Sequence, residues 1–141
     1  MMITLTLALK SVFSLSVFMS IFMDGGPLFM SLILICLLVS IAFLVVGFSS
    51  VKSTQEKAKK MLKLAVDSSL LGLVMGFLGS VLGLISAFDS VEAMGNPDPA
   101  IFAGGLKVSL LTATFGLFTF VVVRIGILIL RSVLKSESKT E

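Results

Sequence analysis

The sequence has no histidine, a single cysteine and few charged residues. Without histidine, histidine-based acid–base chemistry and Cys/His metal sites are excluded, and one cysteine cannot form a disulfide framework within the chain. Only 13% of the 141 residues are Asp, Glu, Lys or Arg, against about 25% in soluble domains. With 57% hydrophobic residues and a mean hydropathy of +1.15, the chain is predicted to be an all-α integral membrane protein. We expect no cofactor, no metal, no nucleic acid and no enzymatic activity.

Three apolar stretches are long enough to cross a membrane. Residues 27–48 carry no charge and reach about 33 Å as a helix, enough for a hydrocarbon core of about 30 Å. Cys36 lies inside this stretch and is interpreted as a packing residue. The predicted segments are an N-terminal interfacial helix (1–23), three transmembrane helices (27–48, 65–88 and 104–131), a short basic cytoplasmic loop (49–64), an outer loop (89–103) and a cytoplasmic tail (132–141).

The first 23 residues allow two interpretations. At 100° per residue, several polar side chains fall on one side of a helix, which favours a helix along the outer interface. These side chains are Thr4, Thr6, Lys10, Ser11 and Ser14. Ser16 and Ser20 fall outside the pattern, and the alternative is a fourth span with a cytoplasmic N-terminus.

The charges of the two connections predict the orientation. The 49–64 segment holds five lysines and one glutamate, whereas the 89–103 segment holds three carboxylates and no Lys or Arg. Short loops rich in Lys and Arg stay in the cytoplasm. We therefore expect 49–64 inside, 89–103 outside, the N-terminus outside and the C-terminus in the cytoplasm.

Small residues follow a helical stripe along the second predicted span. Gly72, Gly76, Gly79 and Gly83 recur every three or four residues, a pattern that lets helices approach closely in lipid. The stripe is longer than three helices were expected to cover, which favours packing between subunits; packing within one chain is the alternative.

The third span has one narrow polar face. Its members are Gly105, Ser109, Thr112, Gly116 and Thr119. Such hydroxyls often bond their own backbone, but three on one face favour contact with a partner helix or a hydrated path.

Charges are placed near the ends of the spans. Asp67 and Arg124 lie at similar depth when counted along antiparallel helices, which predicts an ion pair near the cytoplasmic boundary. No Asp or Glu lies in the middle of a span. Any proton transfer would therefore need a carboxylate from another protein.

Two sequence elements resemble the signature helices of the MotA/TolQ/ExbB proton-channel family. They are GFLGSVLGLISAF (residues 76–88) and GLKVSLLTATFGLFTF (residues 105–120), and the earlier MDGGPLFMSLIL is similar to the start of that family's first span. The resemblance covers roughly residues 23 to 130. It implies five copies around a central pore that holds two single-span partner helices of the ExbD/TolR/MotB kind, and the partner supplies an intramembrane Asp.

The resemblance also assigns residues. Ser80 matches the hydroxyl that faces the partner Asp in the family's Gly-Thr-Val element. The family's third-span threonine falls on Ala113, flanked by Thr112 and Thr114, and the glutamate common in ExbB and TolQ falls on Val108. The predicted cavity lining consists of Ser80, Ser109, Thr112 and Thr119.

The short 49–64 loop separates this chain from flagellar stators, because it has no room for a charged torque surface. The resemblance therefore implies an ExbB/TolQ-like motor subunit in the bacterial inner membrane, driven by ion flow. Ala113 and Val108 keep open a non-conducting scaffold of the same architecture. A small autonomous transporter or holin is a third alternative, disfavoured by the missing intramembrane carboxylate.

Overall fold

The computed structural model is all-helical. It describes residues 1–24, 26–96 and 98–140, with every side chain among them except those of residues 18 and 21–24. Within these residues the helices are α1 (Met2–Asp24), α2 (Pro27–Ser50), α3 (Gln55–Met94) and α4 (Pro99–Glu137). The last three are long and apolar enough to cross a membrane, which confirms the all-α class and gives three candidate spans. Residues 97 and 141, which belong to the predicted outer loop and tail, lie outside the described residues.

Local sequence signals explain where the helices begin and end. Gly26 has φ 81°, a backbone conformation that favours glycine, and Pro27 then occupies the first turn of α2. Gly95 ends α3 in the left-handed conformation at φ 68°. Asp98 caps α4, because its side-chain oxygen accepts a hydrogen bond from the Ala100 backbone N–H at 3.0 Å.

The helices extend beyond the predicted spans. α3 has 40 residues and α4 has 39, so each is about 60 Å long, twice the thickness of a hydrocarbon core. Residues 55–64 of the predicted basic loop are the first turns of α3, and residues 132–137 of the predicted tail end α4. Lys, Glu, Gln, Ala and Met are good helix formers, so the change from apolar to charged sequence does not end the helix.

α2, α3 and α4 form one bundle, in which α3 and α4 pack most extensively and α2 packs on both. We call its two ends the basic end, at the α2–α3 turn, and the acidic end, at the α3–α4 turn. The core lies towards the basic end and consists of Leu44, Val51, Ala58, Ala65, Val123, Ile127, Leu130 and Leu134. The outward faces carry exposed Leu, Ile, Val and Phe side chains, as expected of helices that contact lipid.

α1 is exposed along residues 1–17. Its apolar side chains, such as Leu5, Leu7, Val12 and Leu15, are exposed around the full circumference of the helix. Four of its hydroxyls donate to backbone carbonyls one turn back; they belong to Thr4, Thr6, Ser11 and Ser16. Apolar residues such as Leu7 also lie within the predicted polar side, so the helix has no purely polar face. The interfacial helix and the fourth span both stay open as predictions.

Candidate functional site

Two glycines bring the backbones of α3 and α4 into direct contact. A Cβ added to Gly76 would lie 2.8 Å from the Gly116 Cα, and one added to Gly116 would lie 2.9 Å from the Gly76 Cα. Real Cβ atoms essentially never approach so closely. The two backbones therefore touch at a level where only glycine fits on both helices.

The rest of the small-residue stripe is filled from within the same chain. A Cβ on Gly79 would lie 2.7 Å from the Phe29 ring of α2, and one on Gly83 would lie 2.9 Å from the Ser109 hydroxyl of α4. Towards the acidic end, a Cβ on Gly105 would lie 2.6 Å from the Ala87 Cβ. The expectation that this stripe exceeds what one chain can cover is therefore wrong, and the stripe does not by itself require an oligomer.

These contacts establish the register of α3 and α4. Residue 76 meets residue 116 and residue 83 meets residue 109, so the helices are antiparallel and residue 80 lies level with residues 111–112. α2 contacts one side of this pair, through Gly79 on α3 and Gly126 on α4. We call the opposite side of the α3–α4 pair the far face.

The three hydroxyls of the third span lie between helices. Ser109 and Thr112 are 2% exposed and Thr119 is fully buried, and all three point towards the glycine stripe of α3. The Ser109 hydroxyl donates to the Gly105 carbonyl at 3.0 Å and the Thr112 hydroxyl donates to the Val108 carbonyl at 3.1 Å. Ser109 and Thr112 also border a cavity of about 180 Å³, which Phe29 of α2 lines as well. Their role as cavity lining stays a prediction.

Thr119 differs from the other two hydroxyls. Its Oγ1 is buried and has no hydrogen-bond partner among the described residues. Its methyl group faces α3, 3.8 Å from where a Cβ on Gly72 would lie. A buried hydroxyl without a partner carries a desolvation cost.

Ser80 lies on the far face and is half-buried. At 100° per residue it lies about 40° from Gly76, on the side opposite to Gly79. Ala113 is also half-buried and lies about 60° from Gly116, again on the side away from α2. The register places the two nearly level, so the far face brings the Ser80 hydroxyl and the Ala113 methyl group to the same groove.

Asp67 and Arg124 are level but do not share a face. The register places residue 67 beside residues 124 and 125, yet Asp67 is exposed on the side of α3 that is turned away from α4. The Arg124 guanidinium lies over the Phe120 ring, 5.0 Å from its centroid. No ion pair among the described residues includes either side chain. Pairing between chains stays a prediction.

A serine cluster joins α2 and α3, and sequence reasoning missed it. The Cys36 carbonyl accepts hydrogen bonds from the hydroxyls of Ser40 at 2.7 Å and Ser68 at 3.3 Å. Ser69, next to Ser68, is fully buried and bonds the Val66 carbonyl. Adjacent serines in an otherwise apolar span were the available signal. Among the described residues, no group of three Cys, Asp or Glu side chains is placed to hold a metal ion.

The chain matches the model of a family described as the MotA/TolQ/ExbB proton channel family over residues 42–141. This range includes α3, α4 and the C-terminal third of α2. No curated protein and no solved structure matches the chain.

Proposed function

Because this chain belongs to the MotA/TolQ/ExbB proton channel family, we propose that it is a channel and stator subunit of an ExbB/TolQ-like motor. In this proposal it lies in the bacterial inner membrane and couples proton flow to mechanical work on a single-span partner of the ExbD/TolR kind. Each charge that crosses 100 mV releases about 2.3 kcal/mol. Several charges are therefore needed for a sizeable conformational step. No enzymatic step is part of the proposal.

The position of Ser80 is the observation that carries the proposal. It is the predicted lining residue that is half-buried on the far face, while the third-span hydroxyls are buried between helices. A hydroxyl can donate to a carboxylate and accept from a carboxylic acid. Ser80 can therefore solvate a partner Asp in both protonation states, which a proton relay requires.

The assembly that fits this role has five copies with their far faces turned inwards. The exposed apolar side chains on the outer faces of α2 and α3 would then contact lipid or the neighbouring copy. The basic end would lie in the cytoplasm, in line with the positive-inside rule. The partner pair would occupy the centre and place its Asp at the level of Ser80.

A non-conducting scaffold is the second candidate, and the far face itself favours it in one respect. Ala113 presents a methyl group on this face where the family's third-span threonine would stand. Val108, where ExbB and TolQ often carry glutamate, is half-buried on the α2 side of α4 and lines the same cavity as Phe29. If Ser80 alone cannot support the relay, the same packing would hold the partner without conducting ions.

Proton flux through the native complex tests the proposal. The tagged chain, purified with its partner and reconstituted in vesicles with a pH-sensitive dye inside, should carry a flux driven by a membrane potential. Ser80→Ala should lower this flux about tenfold or more, because it removes a hydrogen bond to a charged group worth about 1.5 kcal/mol.

Ser86→Ala is the matched control. Ser86 is exposed on α3 towards the acidic end and lies on the α2 side of the helix, where it lines the same cavity as Phe29. Its loss should therefore leave the flux unchanged. Intact complexes without flux would favour the scaffold. Equal flux in Ser80→Ala and the unaltered protein would refute the assigned path.

A further inference from the structure

Four basic residues lie on the far side of the α3–α4 pair, at the basic end of the bundle. On α4, Arg131 and Lys135 lie within about 20° of the direction of Arg124 around the helix. On α3, Lys59 lies on the same far side, level with residue 132 in the register of the two helices. We call Lys59, Arg124, Arg131 and Lys135 the basic groove.

The basic groove has no carboxylate to neutralise it. No ion pair is present among the described residues. Glu56 and Asp67 lie on the outer side of α3 that is turned away from α4, and Glu137 lies beside the α2–α3 turn. The positive-inside rule explains lysines in a cytoplasmic connection, but it does not explain why arginines within α4 share one face with Lys59. Converging like charges are stabilised by a bound anion.

The depth of Arg124 identifies the kind of anion. Arg124 is half-buried within an apolar stretch, and its neighbours Ile125, Leu128 and Ile129 are exposed as lipid contacts. It lies about 11 Å from Arg131 along the helix. The headgroup layer is about 5–8 Å thick, and a long arginine side chain reaches several ångströms towards it. A phosphate at the boundary can therefore contact both arginines, whereas a soluble peptide would stop at Arg131 and Lys135.

Apolar surface continues from the basic groove towards the centre of the bundle. Leu73 and Phe77 on α3 and Leu117 on α4 lie on the same far face and are half-buried or exposed. Phe120 lies between them and Arg124, and its ring already holds the guanidinium in place. The far face therefore carries the basic side chains at one level and, next to them, an apolar surface that acyl chains can contact.

From this arrangement we infer that the basic groove binds the phosphate headgroup of an anionic phospholipid, with its acyl chains along Leu73, Phe77 and Leu117. Basic pockets between transmembrane helices at the cytoplasmic side are suited to such headgroups. The inference concerns the chain without the partner pair and holds whether or not the assembly conducts ions. In the proposed five-copy assembly the far face lines the centre, so the acyl chains and the partner helices would compete for Leu73, Phe77 and Leu117.

Native mass spectrometry of the detergent-solubilised full chain tests it, with phosphatidylglycerol and phosphatidylcholine as probes. The unaltered protein should retain phosphatidylglycerol in preference to phosphatidylcholine. Arg124→Gln with Arg131→Gln should weaken phosphatidylglycerol binding about 30-fold, which corresponds to about 1 kcal/mol for each basic side chain. If that variant fails to fold, Lys59→Gln with Lys135→Gln, both exposed, should give the same loss.

Lys57→Gln with Lys60→Gln is the matched control, because it removes two charges from the same turns of α3 on other faces. Its affinity for phosphatidylglycerol should equal that of the unaltered protein. An equal loss in the control would overturn the inference in favour of non-specific attraction. Displacement of the lipid by excess inorganic phosphate would show a soluble-anion site, and displacement by polyglutamate would show a site for acidic protein. Absence of a preference between the two lipids would also overturn it.

Discussion

Replacing Gly76 by alanine tests the close contact between α3 and α4. The new Cβ would lie 2.8 Å from the Gly116 Cα, and the neighbouring atoms are backbone, which cannot rotate away as a flexible side chain can. The helices must separate to make room, and the adjoining small-residue contacts loosen with them. Overpacking of this kind typically costs about 1–3 kcal/mol.

A matched glycine isolates this packing cost. Gly104 lies in α4, and a Cβ there would meet nothing within 4 Å. Glycine-to-alanine replacement within a helix gains about 1 kcal/mol from propensity at either site. The difference between Gly76→Ala and Gly104→Ala should therefore equal the packing cost, with Gly76→Ala less stable by about 1–3 kcal/mol.

Cys36 provides the assay. It is the single cysteine of the chain. It is half-buried, and its Cβ lies 3.2 Å from where a Cβ on Gly72 would lie, so it contacts α3. Unfolding should expose the thiol fully and speed its labelling by a thiol-reactive fluorophore, and the midpoint of this change on heating or in denaturant reports stability. A midpoint for Gly76→Ala at or above that of Gly104→Ala would refute the contact.

Three further outcomes follow from the same packing. Thr119→Val should raise the free energy of unfolding by up to about 1–3 kcal/mol, and with it the labelling midpoint, because it removes a buried hydroxyl that lacks a partner among the described residues. Thr112→Val loses a hydrogen bond and should not raise the midpoint, so equal effects of the two variants would contradict this reasoning. Asp98→Ala should destabilise the first turn of α4 by about 1 kcal/mol, seen as faster amide exchange there, whereas Asp98→Asn keeps the cap and the slow exchange. Gly95→Ala should cost about 1–2 kcal/mol, because Gly95 is left-handed, and an unchanged amide exchange rate at the α3 C-terminus would disprove the assigned conformation.

The sequence predicted the apolar spans well and the helix ends poorly. α2 begins at Pro27, where the first charge-free stretch begins, because proline is suited to a first turn. The segment of Lys57, Lys59 and Lys60 was predicted as a loop, yet it is helical. Hydropathy indicates where a helix leaves the membrane, whereas helix propensity indicates where the helix ends. These two positions differ when the residues beyond the membrane boundary are good helix formers.

The faces of the helices were predictable, but their partners were not. The spacing of Thr112, Gly116 and Thr119 predicts that they share one face, and the structure buries all three. Equal spacing of small residues on α3 and α4 permits contact within a chain or between chains. The choice between these requires the three-dimensional structure, which shows that Gly76 of α3 meets Gly116 of α4 in the same chain.

The fit of side chains against the glycines of α3 has a mechanical consequence. The Thr112 methyl group and the Ser109 hydroxyl lie 2.9 Å from where Cβ atoms on Gly79 and Gly83 would be, so each occupies a notch in the α3 surface. The notches are about 5–6 Å apart along the axis, and the positions between them carry larger side chains. Under a force along their axes the two helices cannot slide past each other gradually. They either keep this register or shift by a whole notch. A force too small to cause such a jump moves α3 and α4 together as one rigid unit. Any deformation under that force must then arise elsewhere, for example where α2 packs on this pair.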